Sequence, residues 1–389
     1  MKLVTVIGAR PQFIKAATVS RAIKEYNQLL TADQEQIVEV LVHTGQHYDE
    51  NMSDVFFKEL QIPSPDFNLN VGSSSHGVQT AQMIEGIERI LIAEKPDCVI
   101  LYGDTNSTLS GAVAASKLHV PVVHIEAGMR SFNKSMPEEI NRIICDHCST
   151  LLFSPTKTGI NNLIKEGFNV NNKPPFTADN PGVFHCGDVM LDNTLFFSKT
   201  AKTNTTIIKQ LGIENRKFVL VTIHRPVNTD DIKRLMSILK ALISLAETKD
   251  INIVIPLHPR TSKIIQYIPD ISLKEKLSQN DKIKLIPAVS FLEMVVLEEA
   301  SSMIITDSGG VQKEACFLNK PCIILRQETE WVEIVESGCA ILVDADEKRI
   351  INAFSQLNDI RKFIFPDIFG DGKAAEFIVN EIISCFGRL

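Results

Sequence analysis

The sequence predicts an α/β fold built from two doubly wound halves. Three observations carry that expectation. Short apolar runs alternate with helical patterns along the chain, beginning with Lys2-Leu-Val-Thr-Val-Ile7 and a helical stretch from about 12 to 25. Most of these runs end in a glycine or polar turn, as in Gly8-Ala-Arg10-Pro11 and Gly103-Asp104-Thr-Asn-Ser107. Past Val183-Phe-His185 the alternation starts again, which puts a seam near residue 190. Runs that are apolar throughout, rather than at every second residue, mark strands buried on both faces of a parallel sheet.

In order, the first strand leads through a glycine turn to a helix with a proline at its start, a βα unit. Val38-Glu-Val-Leu-Val-His43 is the second strand and ends in Thr44-Gly-Gln-His47. A long helix over 77–94 precedes the strand Asp97-Cys-Val-Ile-Leu-Tyr102, and a helix over 108–118 precedes Val120-Pro-Val-Val-His124. Leu151-Leu-Phe-Ser154 and Val183-Phe-His185 follow, separated by an Asn- and Pro-rich loop over 171–181. The second half runs Phe218-Val-Leu-Val-Thr-Ile-His224, a helix over 230–246, Asn252-Ile-Val-Ile-Pro256, Lys284-Leu-Ile286, Ser302-Met-Ile-Ile-Thr306, Pro321-Cys-Ile-Ile-Leu325 and Ala340-Ile-Leu-Val343. The expected division is a Rossmann-like domain over 1–190 and a second over 191–373. A helical stretch over about 374–389 can pack back on the first.

Composition narrows the function. A chain of 389 residues with 44% hydrophobic content suits two or three soluble domains, each with its own core. A net charge of −7 argues against a general nucleic-acid surface, so any phosphate site must be local. The eight cysteines are scattered, several inside apolar runs, and read as free thiols of a reducing, cytoplasmic compartment. Cys145-Asp-His-Cys148 is a lone C-x-x-C inside a helical pattern, so no metal site is expected there. No run approaches the ~18 apolar residues of a membrane span. The N-terminal apolar run is cut short by Arg10 and Pro11, unlike a signal peptide.

The charged residues concentrate at strand ends, where open α/β sheets keep their sites. Glu126, Arg130, Glu138, Glu139 and Arg142 follow the strand ending at His124. Ser135-Met-Pro-Glu138 fits a capping box, so Glu138 reads equally as a cap or as a catalytic group. Glu139 can pair with Arg142 on one helix face. Glu126 lies between an apolar strand and a glycine, where capping does not account for it. Asp104 is either a helix N-cap or an acid–base group. Neither G-x-G-x-x-G after the first strand nor G-x-x-x-x-G-K-[ST] is present. Thr306-Asp-Ser-Gly-Gly-Val-Gln-Lys-Glu314 instead offers a strand, a glycine pair and a helix start, which suits an anion at Ser308, Gly309 and Gly310. Glu314, one turn on, suits ribose hydroxyls or is a solvated helix charge. Arg10 suits a pyrophosphate, and His224-Arg225 ends the first strand of the second half.

Taken together, Gly8-Ala-Arg-Pro-Gln-Phe-Ile-Lys15, Thr44-Gly-Gln-His47, Gly103-Asp-Thr-Asn-Ser-Thr108, His124-Ile-Glu-Ala-Gly128, Pro137-Glu-Glu-Ile-Asn-Arg142, His224-Arg225 and Asp307-Ser-Gly-Gly310 resemble the non-hydrolysing UDP-N-acetylglucosamine 2-epimerases. The resemblance runs in the family's order to about residue 345. It implies two Rossmann-like domains facing across a cleft, as in GT-B glycosyltransferases, a homodimer, a UDP-sugar substrate, and neither metal nor nicotinamide. It implies a catalytic set of Asp104, Glu126, Glu138 and His224. It implies a UDP site of Arg10, Ser308, Gly309, Gly310 and Glu314. Lys15, Arg142, His258 and Arg326 join the substrate-binding residues, with Phe291 near the uracil.

The chain departs from the housekeeping pattern at Arg326-Gln-Glu-Thr-Glu-Trp331, where Trp331 stands in place of an arginine, and at His224-Arg-Pro-Val-Asn-Thr229. Both variants resemble the branch that epimerises UDP-2,3-diacetamido-2,3-dideoxyglucuronic acid for surface polysaccharides. The competing readings are a GT-B glycosyltransferase, which needs an acceptor, a hydrolysing epimerase, which releases UDP, and a non-catalytic sugar-nucleotide sensor, which has no need of four acid–base groups.

Overall fold

The computed structural model describes residues 1–31, 35–45, 64–214, 216–360 and 363–387, except for the side chains of 200 and 202–204. Gln46 and His47 of the motif that begins at Thr44 lie outside the described residues. The chain forms two compact units, one of Met1–Asn193 with Asp367–Leu389, the other of Thr194–Pro366.

The first unit holds β1 (Lys2–Ile7), β2 (Val38–His43), β3 (Phe67–Asn68), β4 (Cys98–Tyr102), β5 (Val122–Ile125), β6 (Leu151–Ser154) and β7 (Gly182–His185). They form a parallel sheet in the order β3-β2-β1-β4-β5-β6-β7. All five residues of β4 are fully buried, as a central strand covered on both faces must be. Met83 and Ile87 of the helix His76–Glu94 join Val4, Val6, Val42 and Leu101 in one core. The C-terminal helix Ala374–Phe386 packs on the helix Arg10–Gln28. Asp192 accepts the Ala375 N–H at 2.8 Å and so anchors its first turn.

The second unit holds β8 (Phe218–Thr222), β9 (Asn252–Leu257), β10 (Ile283–Pro287), β11 (Met303–Thr306), β12 (Cys322–Ile324) and β13 (Ala340–Leu342). Its parallel order is β10-β9-β8-β11-β12-β13. The helix Ile232–Thr248 buries Leu235, Ile238, Leu239, Leu242 and Leu245, one apolar stripe at helical spacing. Asp231 caps it by accepting the Lys233 and Arg234 N–H groups.

In both sheets the strand order reverses once, between β1 and β4 and between β8 and β11. The connections on either side of a reversal leave for opposite faces, and ligands of open α/β sheets bind at the carboxyl ends there. Gly8–Arg10 and Gly103–Asp104 flank the first reversal, and His224–Arg225 and Asp307–Gly310 the second.

Two capping expectations are corrected. The helix Pro137–Cys148 has Met136 at its N-cap with no side-chain cap, because the Ser135 hydroxyl donates to Asn133 Oδ1 at 2.6 Å instead. Glu138 therefore has no capping box to complete. The helix Asn106–Lys117 is capped by Thr105, whose hydroxyl accepts the Thr108 N–H, so Asp104 is not its cap.

Glycine is required where the backbone enters the left-handed region against a neighbour. Gly128 has φ +78°, and a Cβ there would lie 2.4 Å from the Gly159 carbonyl oxygen. Gly167 has φ +97° with nothing within 4 Å of its Cβ position. Strain and overlap each cost about 1–3 kcal/mol. Gly128→Ala should therefore lower the urea midpoint clearly more than Gly167→Ala. Equal midpoints for the two variants would contradict this packing.

Candidate active site

In the first unit the turns after β1, β4 and β5 meet. Gln12, buried in the first turn of its helix, uses all four of its hydrogen-bonding positions. Its Oε1 accepts the Gly8 and Ala9 N–H groups at 2.8 and 3.1 Å, and its Nε2 donates to Tyr102 O and Thr108 Oγ1, both at 2.9 Å. That locks the Gly8 turn to the end of β4. Gly8 is needed for the same junction, since a Cβ there would sit 2.1 Å from Ser107 Oγ.

Glu126 follows β5 with φ +79°, a backbone state that costs a non-glycine residue about 1–3 kcal/mol. Its N–H and that of Ala127 both donate to Phe153 O at 3.0 Å. Its carboxylate pairs with the Lys15 ammonium in a mostly buried contact. A Cβ on Gly103 would lie 3.2 Å from Lys15 Nζ and 3.3 Å from Glu126 Oε2, so the β4 turn abuts this pair. Asp104, the next residue, is 35% exposed at its side chain and pairs with Arg142. Asn141 donates to the Asp104 carbonyl at 2.9 Å.

Arg142 also donates to Glu139 Oε2 through Nε at 3.2 Å and Nη2 at 2.8 Å. Glu139 further accepts the Ser131 and Phe132 N–H groups, both at 2.9 Å. Burial pushes its pKa up, but the Ser131 N–H and Arg142 outweigh that and hold it below the usual carboxylate range. Glu139 is thus a buried anchor, while its neighbour Glu138 is exposed on the first turn of the helix. Arg10 is exposed at the first position of its own helix.

In the second unit, Asp307 is fully buried at the end of β11. It accepts the backbone N–H of His224 at 3.1 Å, that of Arg225 at 3.0 Å and the Asn228 amide at 3.1 Å. Its Oδ1 lies 3.0 Å from His224 Nδ1, while the imidazole is 48% exposed. Burial raises the Asp307 pKa, and the His224 contact with the surrounding donors outweighs that and lowers it. An ionised Asp307 accepts a hydrogen bond from Nδ1–H, so Nε2 is the ring nitrogen left to exchange a proton.

Ser308 caps the helix Gly309–Phe317 by accepting the Val311 N–H. Gly309 and Gly310, at the first two helical positions, have no intrahelical acceptor for their N–H groups. Around the Gly309 Cβ position stand Arg326 Nη1 at 3.7 Å, Glu330 Oε1 at 3.9 Å and Trp331 Nε1 at 3.9 Å. Arg326 donates to Glu330 at 2.7 Å, and Lys313 lies 4.3 Å above the Trp331 ring. Glu314 is buried on the same helix, beside the fully buried Glu298, whose carboxyl is pushed well up by burial and by Glu314. His258 is exposed and caps its helix through the Arg260 N–H. Phe291 is buried with its ring on Phe197 at 5.3 Å.

The structure brings Lys15 to Glu126 and Asp104 to Arg142 in one unit. In the other it gathers Ser308, Gly309, Gly310 and Arg326, and it backs His224 with Asp307. Glu139 pairs with Arg142 as its spacing suggested, whereas Asp307, Asn141 and Gln12 were missed as site-building residues. Each stands inside a motif quoted for its neighbours, which was the available signal.

The fold and these groups define a two-domain α/β enzyme of nucleotide sugars. The chain belongs to the UDP-N-acetylglucosamine 2-epimerase family, whose model matches residues 30–383. It is 46% identical to a UDP-N-acetylglucosamine 2-epimerase homolog of Methanococcus maripaludis, over 98% of this chain and 99% of that one. It is 45% identical to the UDP-2,3-diacetamido-2,3-dideoxy-D-glucuronate 2-epimerase of Pseudomonas aeruginosa, again over 98% of this chain and 99% of that one. Its structure is similar to that of Methanocaldococcus jannaschii UDP-GlcNAc 2-epimerase in complex with UDP-GlcNAc and UDP, with a TM-score of 0.82 and 41% identity, covering 99% of this chain and 100% of that one.

Gly309 has no positive φ and room for a Cβ, so its backbone accepts a side chain without strain, and a branched one fills the approach to the helix N-terminus. A charge-assisted hydrogen bond is worth about 1.5–3 kcal/mol. Gly309→Val should thus weaken UDP binding about tenfold or more. Calorimetry that finds wild-type affinity in a folded variant would remove this turn from the nucleotide site.

Proposed function

We propose that this chain inverts C2 of a UDP-linked 2-acetamido sugar by eliminating and re-adding UDP, with Glu126, Asp104, Glu138 and His224 handling the protons and Ser308, Gly309 and Gly310 holding the diphosphate. The observation that carries the assignment is Glu126, a carboxylate held in a strained backbone state against Lys15 at a strand end. Strain of that kind persists only where the surroundings over-determine it, and it clusters at functional sites.

The chemistry explains the need for several acid–base groups. C2 has no adjacent carbonyl, so its hydrogen is not acidic in the bound sugar. As the C1–O bond breaks, its electron pair goes to the β-phosphate oxygen and positive charge builds at C1. A protein base can then take the C2 proton, and the C–H pair becomes the C1=C2 bond of a 2-acetamidoglycal. In the reverse sense, a proton arrives at the other face of C2 and the UDP oxygen attacks C1. Inversion needs a proton donor and an acceptor on opposite faces. The helix N-terminus and Arg326 suit the charge that develops on the departing diphosphate. Arg10 and Arg142 belong to the same binding set, and Glu314 suits the ribose hydroxyls.

Turnover in D₂O should place deuterium at C2 of the product, and an oxygen-18 label in the C1–O–P bridge should scramble into the non-bridging β-phosphate positions. Glu126→Gln should keep UDP affinity and lower kcat by at least ~10²-fold. C2–H transfer without solvent exchange, or an unimpaired Glu126→Gln enzyme, would refute the assignment.

For the sugar itself we propose the 2,3-diacetamido uronic acid. The Pseudomonas aeruginosa relative supports this, as does Trp331, which sets an indole rather than a cation beside Gly309. The kcat/KM for that UDP-sugar should exceed the value for UDP-N-acetylglucosamine. A higher value for UDP-N-acetylglucosamine would reverse the assignment.

A further inference from the structure

His124 lies two residues before Glu126 and is fully buried. Its Nδ1 is 2.6 Å from Asp146 Oδ1, and its Nε2 is 2.8 Å from the Gly103 carbonyl oxygen. A carbonyl oxygen only accepts, so Nε2 carries a hydrogen. An ionised carboxylate also only accepts, so Nδ1 carries one too. Both nitrogens are donors only in the imidazolium form.

The charges around the ring balance on that assignment. Asp146 also contacts Arg130 Nη2 at 2.7 Å, and Arg130 donates to Glu166 through Nε and Nη2, both at 2.7 Å. Two cations, His124 and Arg130, thus meet two carboxylates, Asp146 and Glu166. Burial opposes the His124 charge, but Cys145 and Asp146 outweigh it and raise its pKa well above the ordinary range. The Asp146 carboxyl is held below its own range, burial being outweighed by His124 and Arg130.

This network reaches both candidate carboxylates. Gly103 immediately precedes Asp104, and its Cβ position lies against the Lys15–Glu126 pair. On the other side Asp146 Oδ2 accepts the Gly128 N–H at 3.1 Å, two residues past Glu126. One buried carboxylate therefore tethers the β4 turn through His124 and the β5 turn directly.

We propose that Asp146 and a permanently protonated His124 are positioning residues that hold Asp104 and Glu126 in their reactive geometry. The inference rests on those two carboxylates carrying the proton transfers. The charged and titratable groups around the ring are Cys145 and Asp146 from the helix Pro137–Cys148, Arg130 from the loop after β5, and the Lys15–Glu126 pair beyond Gly103. Removing the imidazolium charge should move the apparent pKa of the essential carboxylates up.

The test begins with the wild-type protein labelled with nitrogen-15 at its nine histidines. One ring should show two protonated nitrogens from pH 6 to 8.5 (roughly two units above the ordinary histidine value), and that signal should be absent from His124→Gln. A neutral His124 ring at pH 7 would overturn the proposal. In kinetics, Asp146→Asn should lower kcat by ~10²-fold, the scale of a small misplacement of reacting groups, with UDP affinity unchanged. His124→Gln, which can still donate to Gly103 O, should move the acidic limb of the kcat profile to higher pH. Wild-type kcat in Asp146→Asn alongside an inactive Glu126→Gln would sink this inference alone. Full activity in Glu126→Gln would remove the reading beneath it.

Discussion

A parallel sheet whose strand order reverses has no helix to close the gap at the reversal, and everything proposed for this chain depends on that constraint. Each unit meets it once, between β1 and β4 and between β8 and β11. At both reversals the chain places short turns rather than long loops. Gly8 and Gly103 let two turns approach in the first unit, and Asp307 pulls two turns together in the second. The functional side chains thus hang from strand ends that the cores already fix, so little ordering entropy remains to be lost on binding.

Given those turns, the ionic contacts are better understood as placement than as stability. Lys15–Glu126, Arg142–Glu139, Arg130–Asp146 and Arg326–Glu330 all involve side chains that are largely buried. A buried pair gains little net stability, because desolvation consumes most of the attraction, yet losing one partner costs about 3–5 kcal/mol. That asymmetry makes such pairs stiff. Surface pairs such as Arg89–Glu85, worth about 0–1 kcal/mol, have no such effect. In the described residues these buried pairs stand behind the strand ends, where the proposed chemistry needs stiffness.

This also explains which features were legible in the sequence. Strands such as Cys98–Tyr102 and Phe218–Thr222 were legible because a run buried on both faces has few other homes. Helix starts were less so. Ser135 has the spacing of a capping box, but Asn133 captured its hydroxyl, a choice made by loop geometry that spacing does not encode. Glu138 and Glu139 are adjacent and chemically alike, yet only Glu139 turns inward to Arg142 and the Ser131 and Phe132 N–H groups. The partners of His124 lie 21 and 22 residues away, so its role was illegible without the fold. Asp307 stood in plain view before the glycine pair, but only β8 lying beside β11 shows that it backs His224.

The glycines show where the protein's own requirements end and a ligand's begin. At Gly8 and Gly128 the protein itself forbids a side chain, through Ser107 in one case and through the Gly159 carbonyl with a positive φ in the other. At Gly309 and Gly310 neither reason holds, since the nearest atoms outside their own stretch of helix backbone stand 3.7 and 3.8 Å from the two Cβ positions and neither φ is positive. Glycine inside a helix lowers its stability by about 0.5–1 kcal/mol relative to alanine. A destabilising residue that no internal contact demands, placed twice in succession where backbone N–H groups lack intrahelical acceptors, is accounted for by what must approach from outside. Of the side chains ringing that spot, Arg326 and the Trp331 indole present N–H donors, and the Glu330 carboxylate beside them accepts from Arg326. An anion with several oxygens would satisfy the bare backbone and the donors together, which supports the proposal that the diphosphate lies there.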